Sequence, residues 1–255
     1  MQIFQNKVVF ITGGTSGIGK SIAKAFAAQG AKVIISARSE SSDLANDINA
    51  HFVQMDISNE PSVEAGFASV TSEHGGIDVL VLNAGVALED NVLCELSSDI
   101  AKQMIDINLF GTFLTLKHGA NAMNDGGSIV TIGSAAGGGI AVGMQGIYAA
   151  TKAGVHYLTR TAAIELAERS IRVNTIKPAS IAGTNMMTED DGGPEAKFFA
   201  GITALNKMGS VEDVASLTLY LASDQAKFIT GAEIALDGGL IAGLSNTIVN
   251  NMFGE

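Results

Sequence analysis

The chain of 255 residues carries a formal net charge of −11 and a pI of about 4.7, a balance that repels phosphate backbones and anionic bilayers, so neither nucleic acid nor membrane is an expected partner. Hydrophobic residues make up 47% and charged residues 16%, against a usual charged share of about 25%; strands covered on both faces and helices packed against other subunits would account for this. No linker or shift in composition divides residues 1–255, which read as one domain, and the apolar run Val8 to Thr12 is too short for a signal segment or a span, leaving the cytoplasm as the default compartment.

Short β-branched runs alternate with longer stretches of helical period, the pattern of repeated βα units around a parallel sheet. In chain order, seven strands are expected: Lys7 to Thr12, Lys32 to Ser36, His51 to Gln54, Asp78 to Leu82, Ser128 to Ile132, Arg172 to Ile176 and Glu233 to Leu236. Between the first two, Ile18 to Gln29 carries Ile22, Ala23, Phe26 and Ala27 at helical spacing and stops at Gly30, a C′ glycine. The polar stretch Arg38 to Ala50 predicts a short or irregular helix, whereas Ser97 to Asn121 and Tyr148 to Glu168 are long enough for the principal helices. The single cysteine, Cys94, excludes an internal disulfide and is expected to fill core space. His51, His74, His118 and His156 show no metal-ligand spacing with it or with carboxylates, so no metal is expected.

Thr12-Gly13-Gly14-Thr15-Ser16-Gly17-Ile18-Gly19 joins the first strand to the first helix. Glycines there let backbone N–H groups close on a pyrophosphate at the positive helix end, although a tight strand-to-helix turn that binds nothing would need them too. Tyr148 and Lys152 stand one helical turn apart. An ammonium beside a phenol favours phenolate, and so makes a group of ordinary pKa about 10 a usable acid and base.

The Thr-Gly-x-x-x-Gly-x-Gly spacing, followed in order by Asp56-Ile57, Asn83-Ala84-Gly85, Asn108, Ser134 and Tyr148-x-x-x-Lys152, resembles that of the short-chain dehydrogenase/reductase family over nearly the whole chain. The resemblance implies a Rossmann-type α/β fold, a doubly wound sheet of seven mainly parallel strands with helices on both faces. It also implies an NAD(P)(H)-dependent oxidoreductase that interconverts a carbonyl and a secondary alcohol. On that resemblance Gly13, Thr15, Ser16, Gly17, Ile18 and Gly19 hold the cofactor phosphates, Asp56 and Ile57 meet the adenine, and Asn83, Ala84 and Gly85 support the sheet and approach the cofactor. Ser134 would bind the substrate oxygen, Asn108 would hold a helix kink and a water leading to Lys152, and Tyr148 and Lys152 would touch the cofactor as well as the chemistry. Ser134 is preferred to Ser128 because it lies past the carboxyl end of its strand, where open α/β sheets bind ligands.

Three further features bear on cofactor and substrate. Ala37 stands where NAD-preferring relatives carry an acid, and Arg38 could pair with a 2′-phosphate, so NADP(H) is the expected cofactor with NAD(H) left open. Pro178 and Ile181 match a turn that meets the nicotinamide, but Ala179 replaces the usual glycine and Thr184 is shifted, which leaves its pyrophosphate contact open. The segment from Ser134 to Tyr148, one residue longer than usual, contains no Arg or Lys, which favours a small neutral ketone or alcohol.

Residues 185–206 are expected to form a lid, with Met186, Met187, Phe198 and Phe199 facing an apolar ligand. The alternative substrate is a β-ketoacyl group on acyl carrier protein, for which Arg169 and Arg172 are the remaining docking cations; an alternative of another class is a non-catalytic nicotinamide sensor or scaffold. The family commonly forms homotetramers, and the tail 240–255 is a candidate for packing on a neighbouring subunit.

Overall fold

The computed structural model describes residues 2–39, 42–88, 91–184, 187 and 193–253. In chain order its strands are β1 (Val8–Thr12), β2 (Lys32–Ala37), β3 (His51–Gln54), β4 (Ile77–Leu82), β5 (Met123–Ile132), β6 (Arg172–Pro178), β7 (Ile181–Ala182), β8 (Gly209–Ser210) and β9 (Glu233–Leu236). Seven form one sheet in the order β3-β2-β1-β4-β5-β6-β9, with every neighbouring pair parallel, while β7 and β8 pair separately. The chain reverses direction across the sheet between β1 and β4, the position at which doubly wound sheets open a crevice for a ligand.

The helices are α1 (Gly17–Ala28), α2 (Ser42–Asp47), α3 (Glu60–His74), α4 (Ser98–Met104), α5 (Gly111–Ala122), α6 (Gly146–Glu165), α7 (Pro194–Gly201), α8 (Val211–Ala222) and α9 (Asn246–Phe253). Side chains of β1 and β2 alternate between two cores, as the two-residue period of a strand requires. Val9, Ile11, Val33 and Ile35 pack with Ile22 and Phe26 of α1 and Val214 and Leu221 of α8. Phe10 and Ile34 face the opposite way, toward Val63 and Phe67 of α3, Leu114 of α5 and Ala162 of α6. Both faces are therefore covered, which is why the strands read as continuous apolar runs. None of the described helices is long and apolar enough to cross a membrane.

The seven expected strands coincide with those of the main sheet, and Gly30 takes the left-handed φ of 83° that a helix stop requires. The stretch expected as one helix over Ser97 to Asn121 is instead α4, a π-helical segment Ile105–Phe110 and α5. Helices α3 and α8 were not anticipated from periodicity; their signals are at the ends. Asn59 accepts from the Ser62 N–H at 3.0 Å, and Gly75 closes α3 at φ 82°. Ser210 and Asp213 form a reciprocal capping box at the start of α8. Cys94 is a correction: it is exposed in the turn before α4, over neither sheet face, and not packed in the core.

The tail folds back on its own chain. The Ser245 hydroxyl, buried, donates to the Gly201 carbonyl at 2.9 Å, and the Thr247 hydroxyl donates to the Asn206 side chain at 2.6 Å. Asn185 and Met186 of the expected lid lie outside the described residues; Met187 is described as isolated coil, and Phe198 and Phe199 stand on α7 with ring centroids 5.3 Å apart.

Replacing Ser210 by Ala removes the acceptor for the Asp213 N–H, a 3.1 Å bond. A loss of about 1 kcal/mol in the urea unfolding free energy is expected; an unchanged midpoint would show that the cap contributes nothing.

Candidate active site

The β1–α1 turn is shaped for close approach. Gly13 adopts φ 64°, and a Cβ on Gly19 would lie 2.2 Å from the Gly13 carbonyl oxygen and 2.6 Å from the Asn83 amide nitrogen, so no side chain fits there. Thr12 and Asn83 clasp the turn to the end of β4: the Asn83 amide donates to the carbonyls of Thr12 and Gly13, each at 3.0 Å, and the Thr12 hydroxyl accepts from the N–H groups of Asn83 and Ala84 at 3.0 and 3.1 Å. Ser16 precedes α1 in extended conformation without a side-chain cap, so the first-turn N–H groups, beginning with Gly17 and Ile18, keep their donors. Thr15 is half-buried beside them. Thr184 packs against Gly17, its Cα 3.6 Å from where a Cβ would stand, so the chain does bring Thr184 to the turn.

The other expected cofactor residues line the carboxyl ends of the same strands. Arg38 is exposed just past β2, its carbonyl held by the Gln54 amide at 3.0 Å. Asp56 follows β3, where its Oδ1 accepts from the N–H and hydroxyl of Ser58 at 2.9 and 2.7 Å, a local turn; Ile57 is buried against α5 at Gly111. Pro178 ends β6 and Ile181 opens β7. Ala179 is not among the residues of positive φ, so alanine in place of the family's glycine introduces no strain.

The groups expected to react converge from three elements. Ser134 follows β5 and caps a single 3-10 turn, its hydroxyl accepting from the Ala136 N–H at 3.2 Å. Tyr148, half-buried on α6, shares a side-chain hydrogen bond with Ser134. One turn along α6, Lys152 is buried, with its Nζ donating to the Ile132 carbonyl at 3.1 Å and lying 5.8 Å from the centre of the Tyr148 ring. Gly85 borders both neighbours: a Cβ there would press on Asn108 Oδ1 at 3.1 Å and touch Lys152 Nζ at 3.4 Å. Asn108 sits in the π-helical segment, its Oδ1 accepting from the Val86 N–H and its Nδ2 donating to the Val86 carbonyl, both at 2.8 Å.

The electrostatics differ from the expectation in one respect. Burial pushes the Tyr148 phenol above its ordinary value, and the Ser134 hydrogen bond pulls it back; Lys152 is not a cause of the shift. The reason is geometric: the ammonium is turned to the Ile132 carbonyl, and burial lowers its own pKa to about 8. It is still mostly charged at neutral pH.

One part of the site was not foreseen. His156, four residues beyond Lys152 and buried, accepts from the Ser134 N–H through Nε2 at 3.2 Å. Below it, Glu233 receives Lys177 at 3.1 Å and Arg160 at 2.7 Å, and Lys177 also donates to the Gly138 carbonyl at 3.0 Å. The continued four-residue spacing Tyr148, Lys152, His156 was the available signal. Together these groups pin both ends of the loop that carries Ser134.

Residues 136–142 of that loop and the start of α6 bound an open cleft of about 470 Å³. Among the described residues, no charged side chain lines it.

A family model described as enoyl-(acyl carrier protein) reductase matches residues 13–241. A borneol dehydrogenase of Lavandula x intermedia is 38% identical over 245 residues, which span 92% of this chain and 91% of that enzyme. The 3-oxoacyl-(acyl-carrier-protein) reductase FabG of Escherichia coli (strain K12) is 34% identical, spanning 93% of this chain and 98% of its own. Among solved structures, a short-chain dehydrogenase from Burkholderia cenocepacia in complex with NADP superposes with a TM-score of 0.87 at 29% identity, covering 93% of this chain and 99% of that one. The chain belongs to the short-chain dehydrogenase/reductase family. It is an enzyme of that family, an oxidoreductase, which sets aside the reading as a non-catalytic sensor.

Burial lowers the pKa of His156 to about 4, with Lys177, Lys152 and Arg160 adding to the effect and Glu233 opposing it. The unfolded chain, with an ordinary imidazole, binds the extra proton first, so this contribution to stability is full above the unfolded pKa and is lost as pH falls toward the folded one. Urea unfolding should lose about 2 kcal/mol from this group between about pH 7.5 and about pH 5. His156→Gln, which keeps an acceptor but does not titrate, should flatten the profile; identical slopes for the two proteins would refute the assignment.

Proposed function

We propose that this short-chain dehydrogenase/reductase uses NADP(H) to interconvert a small neutral ketone and its secondary alcohol, with Tyr148 as acid and base. The observation that carries the reading is the convergence of Tyr148, Ser134 and buried Lys152 beside Gly85, at the mouth of a glycine turn too tight for any side chain. The turn and the uncapped start of α1 fit a dinucleotide pyrophosphate, with Gly13, Thr15, Ser16, Gly17, Ile18, Gly19 and Thr184 around it. Asp56, Ile57, Asn83, Ala84, Gly85, Pro178 and Ile181 would hold the remainder. When bound, the nicotinamide supplies or accepts the hydride.

The chain's own residues handle the proton. In the reducing direction Tyr148 gives its phenolic proton to the substrate oxygen, Ser134 donates a hydrogen bond to that oxygen, and the Lys152 ammonium, once turned from the Ile132 carbonyl toward the phenol, stabilises the phenolate left behind. Asn108 is a positioning residue, fixing the Val86 backbone next to Gly85 and so the wall facing Lys152. The oxidising direction uses the same groups in reverse.

The absence of charged side chains from the cleft among the described residues and the name of the borneol dehydrogenase relative, borneol being a neutral alcohol, support the substrate class. The FabG relative and the description of the family model favour a second reading, reduction of an acyl group on acyl carrier protein. Against it, both expected docking cations are engaged: Arg169 donates to the Ala120 carbonyl at 2.7 Å and Arg172 to the Leu221 carbonyl at 2.6 Å, closing the ends of α5 and α8. Exposed Phe110, Phe113, Tyr157 and Ile164 on and beside α5 and α6 support self-association, for which a homotetramer is the proposal.

With a panel of ketones and NADPH, Tyr148→Phe should lower kcat about a hundredfold or more while leaving NADPH binding intact. Activity indifferent to the lost hydroxyl would defeat the mechanism. Arg38→Ala should lower kcat/KM for NADPH about tenfold or more and leave NADH little changed; equal or better use of NADH by the intact enzyme would overturn the cofactor preference.

A further inference from the structure

At the end of the sheet opposite the chemistry, His51 opens edge strand β3, and Glu73 and His74 are the last two residues of α3, ahead of the left-handed Gly75. The fold brings their side chains together although they are far apart in sequence: His51 Nδ1 lies 3.2 Å from His74 Nε2 and 3.3 Å from Glu73 Oε2, and His74 Nε2 lies 3.9 Å from Glu73 Oε1. This corrects the expectation that the histidines lack metal-ligand spacing with carboxylates, an argument from sequence intervals that could not see a contact made between a strand and a helix.

We propose that His51, Glu73 and His74 bind one divalent cation of the zinc class. A tetrahedral ion with nitrogen and oxygen ligands at about 2.0–2.1 Å has ligand-to-ligand edges of about 3.3–3.4 Å. The two nitrogens are already 3.2 Å apart, and Glu73 reaches His51 through Oε2 at 3.3 Å and His74 through Oε1 at 3.9 Å, so a rotation of the carboxylate that brings one oxygen within reach of both nitrogens completes the triangle. The proton arrangement points the same way. Two imidazole nitrogens 3.2 Å apart cannot both carry hydrogens toward each other, so at least one presents a lone pair, and the adjacent carboxylate is an acceptor only. Two imidazole nitrogens and a carboxylate thus stand within a few ångströms of one another with a single proton at most between the nitrogens, an arrangement that a cation would satisfy.

Two imidazoles and one carboxylate suit zinc and its neighbours in the transition series, whereas calcium and magnesium prefer all-oxygen shells. The side chains of His51 and His74 are 33% and 17% exposed and that of Glu73 57%, so the site lies at the rim, where water completes the coordination. Its effect is mechanical. The ion ties the start of the outermost strand to the end of α3, and leaves Tyr148, Lys152 and the glycine turn untouched.

The test uses the full-length, untagged protein stripped with a chelator and titrated with Zn2+ by calorimetry, with Mg2+ as the control ion. One Zn2+ per chain is expected with micromolar or tighter affinity, a rise in Tm of about 3 °C or more at saturation, and no response to Mg2+. Co2+ should give the absorption of a tetrahedral nitrogen-and-oxygen site. His74→Gln and His51→Gln should each weaken Zn2+ binding at least about tenfold, while His118→Gln, at the half-buried histidine paired with Glu60, should not. A Kd for the intact protein weaker than about 1 mM, or stoichiometric binding that survives both substitutions, would overturn the proposal. Circular dichroism of the variants separates lost ligation from lost folding, and the Co2+ spectrum of the intact protein decides the matter if either variant fails to fold.

Discussion

A lysine ammonium held out of water at the carboxyl edge of a parallel sheet is the constraint around which the site is arranged. Burial lowers the Lys152 pKa to about 8, a desolvation of roughly 3 kcal/mol against the charged form. That cost is tolerable because the Ile132 carbonyl accepts from it and because glycine at 137 leaves room: a Cβ there would stand 2.6 Å from the Lys152 Cβ. The loop after β5, the turn after β4 and helix α6 are therefore positioned with respect to one side chain, and the phenol of Tyr148 takes its place from the same helix.

Beneath that ammonium lies a second polar layer. Buried polar groups are expensive unless paired: Glu233 pairs with buried Lys177 and with the exposed Arg160, while Lys177 and His156 each spend a contact on the backbone, of Gly138 and Ser134. The His156 Nδ1 atom has no hydrogen-bond partner among the described residues, and the nearest Glu233 oxygen is 3.9 Å away. The loop bearing Ser134 rests on ion pairs at one end and on a neutral imidazole at the other, so its geometry is set from within the sheet and not by the exposed cleft above it.

Much of this was legible in the residues. The strands were, because burial on both faces leaves an unbroken β-branched run such as Val8 to Thr12, and the placing of Tyr148 and Lys152 on one helix was, because their spacing is local. What escaped was non-local or carried by chain ends. Helix α3 announces itself only through Asn59 and Gly75, the amino end of β5 runs through Asn124, Asp125, Gly126 and Gly127 without any β-forming side chain, and the polar layer needs Glu233 from the last strand to be recognised. The direction of the Tyr148 shift was missed for a related reason: helical spacing places Lys152 on the correct face but cannot reveal that its nitrogen is already committed to Ile132.

The fold-back of the tail has an implication for how such a pocket diversifies. Ile241, in the short 3-10 turn Leu240–Ala242, presses onto Gly139 so closely that a Cβ on the glycine would sit 2.4 Å from its side chain, and Ser245 and Thr247 fasten the following segment to the region of α7. The wall of the cleft and the segment after β9 are thus one surface made from two distant stretches of sequence. A side chain added at position 139 would need a smaller residue at position 241, so the shape of the cleft is set jointly by both stretches.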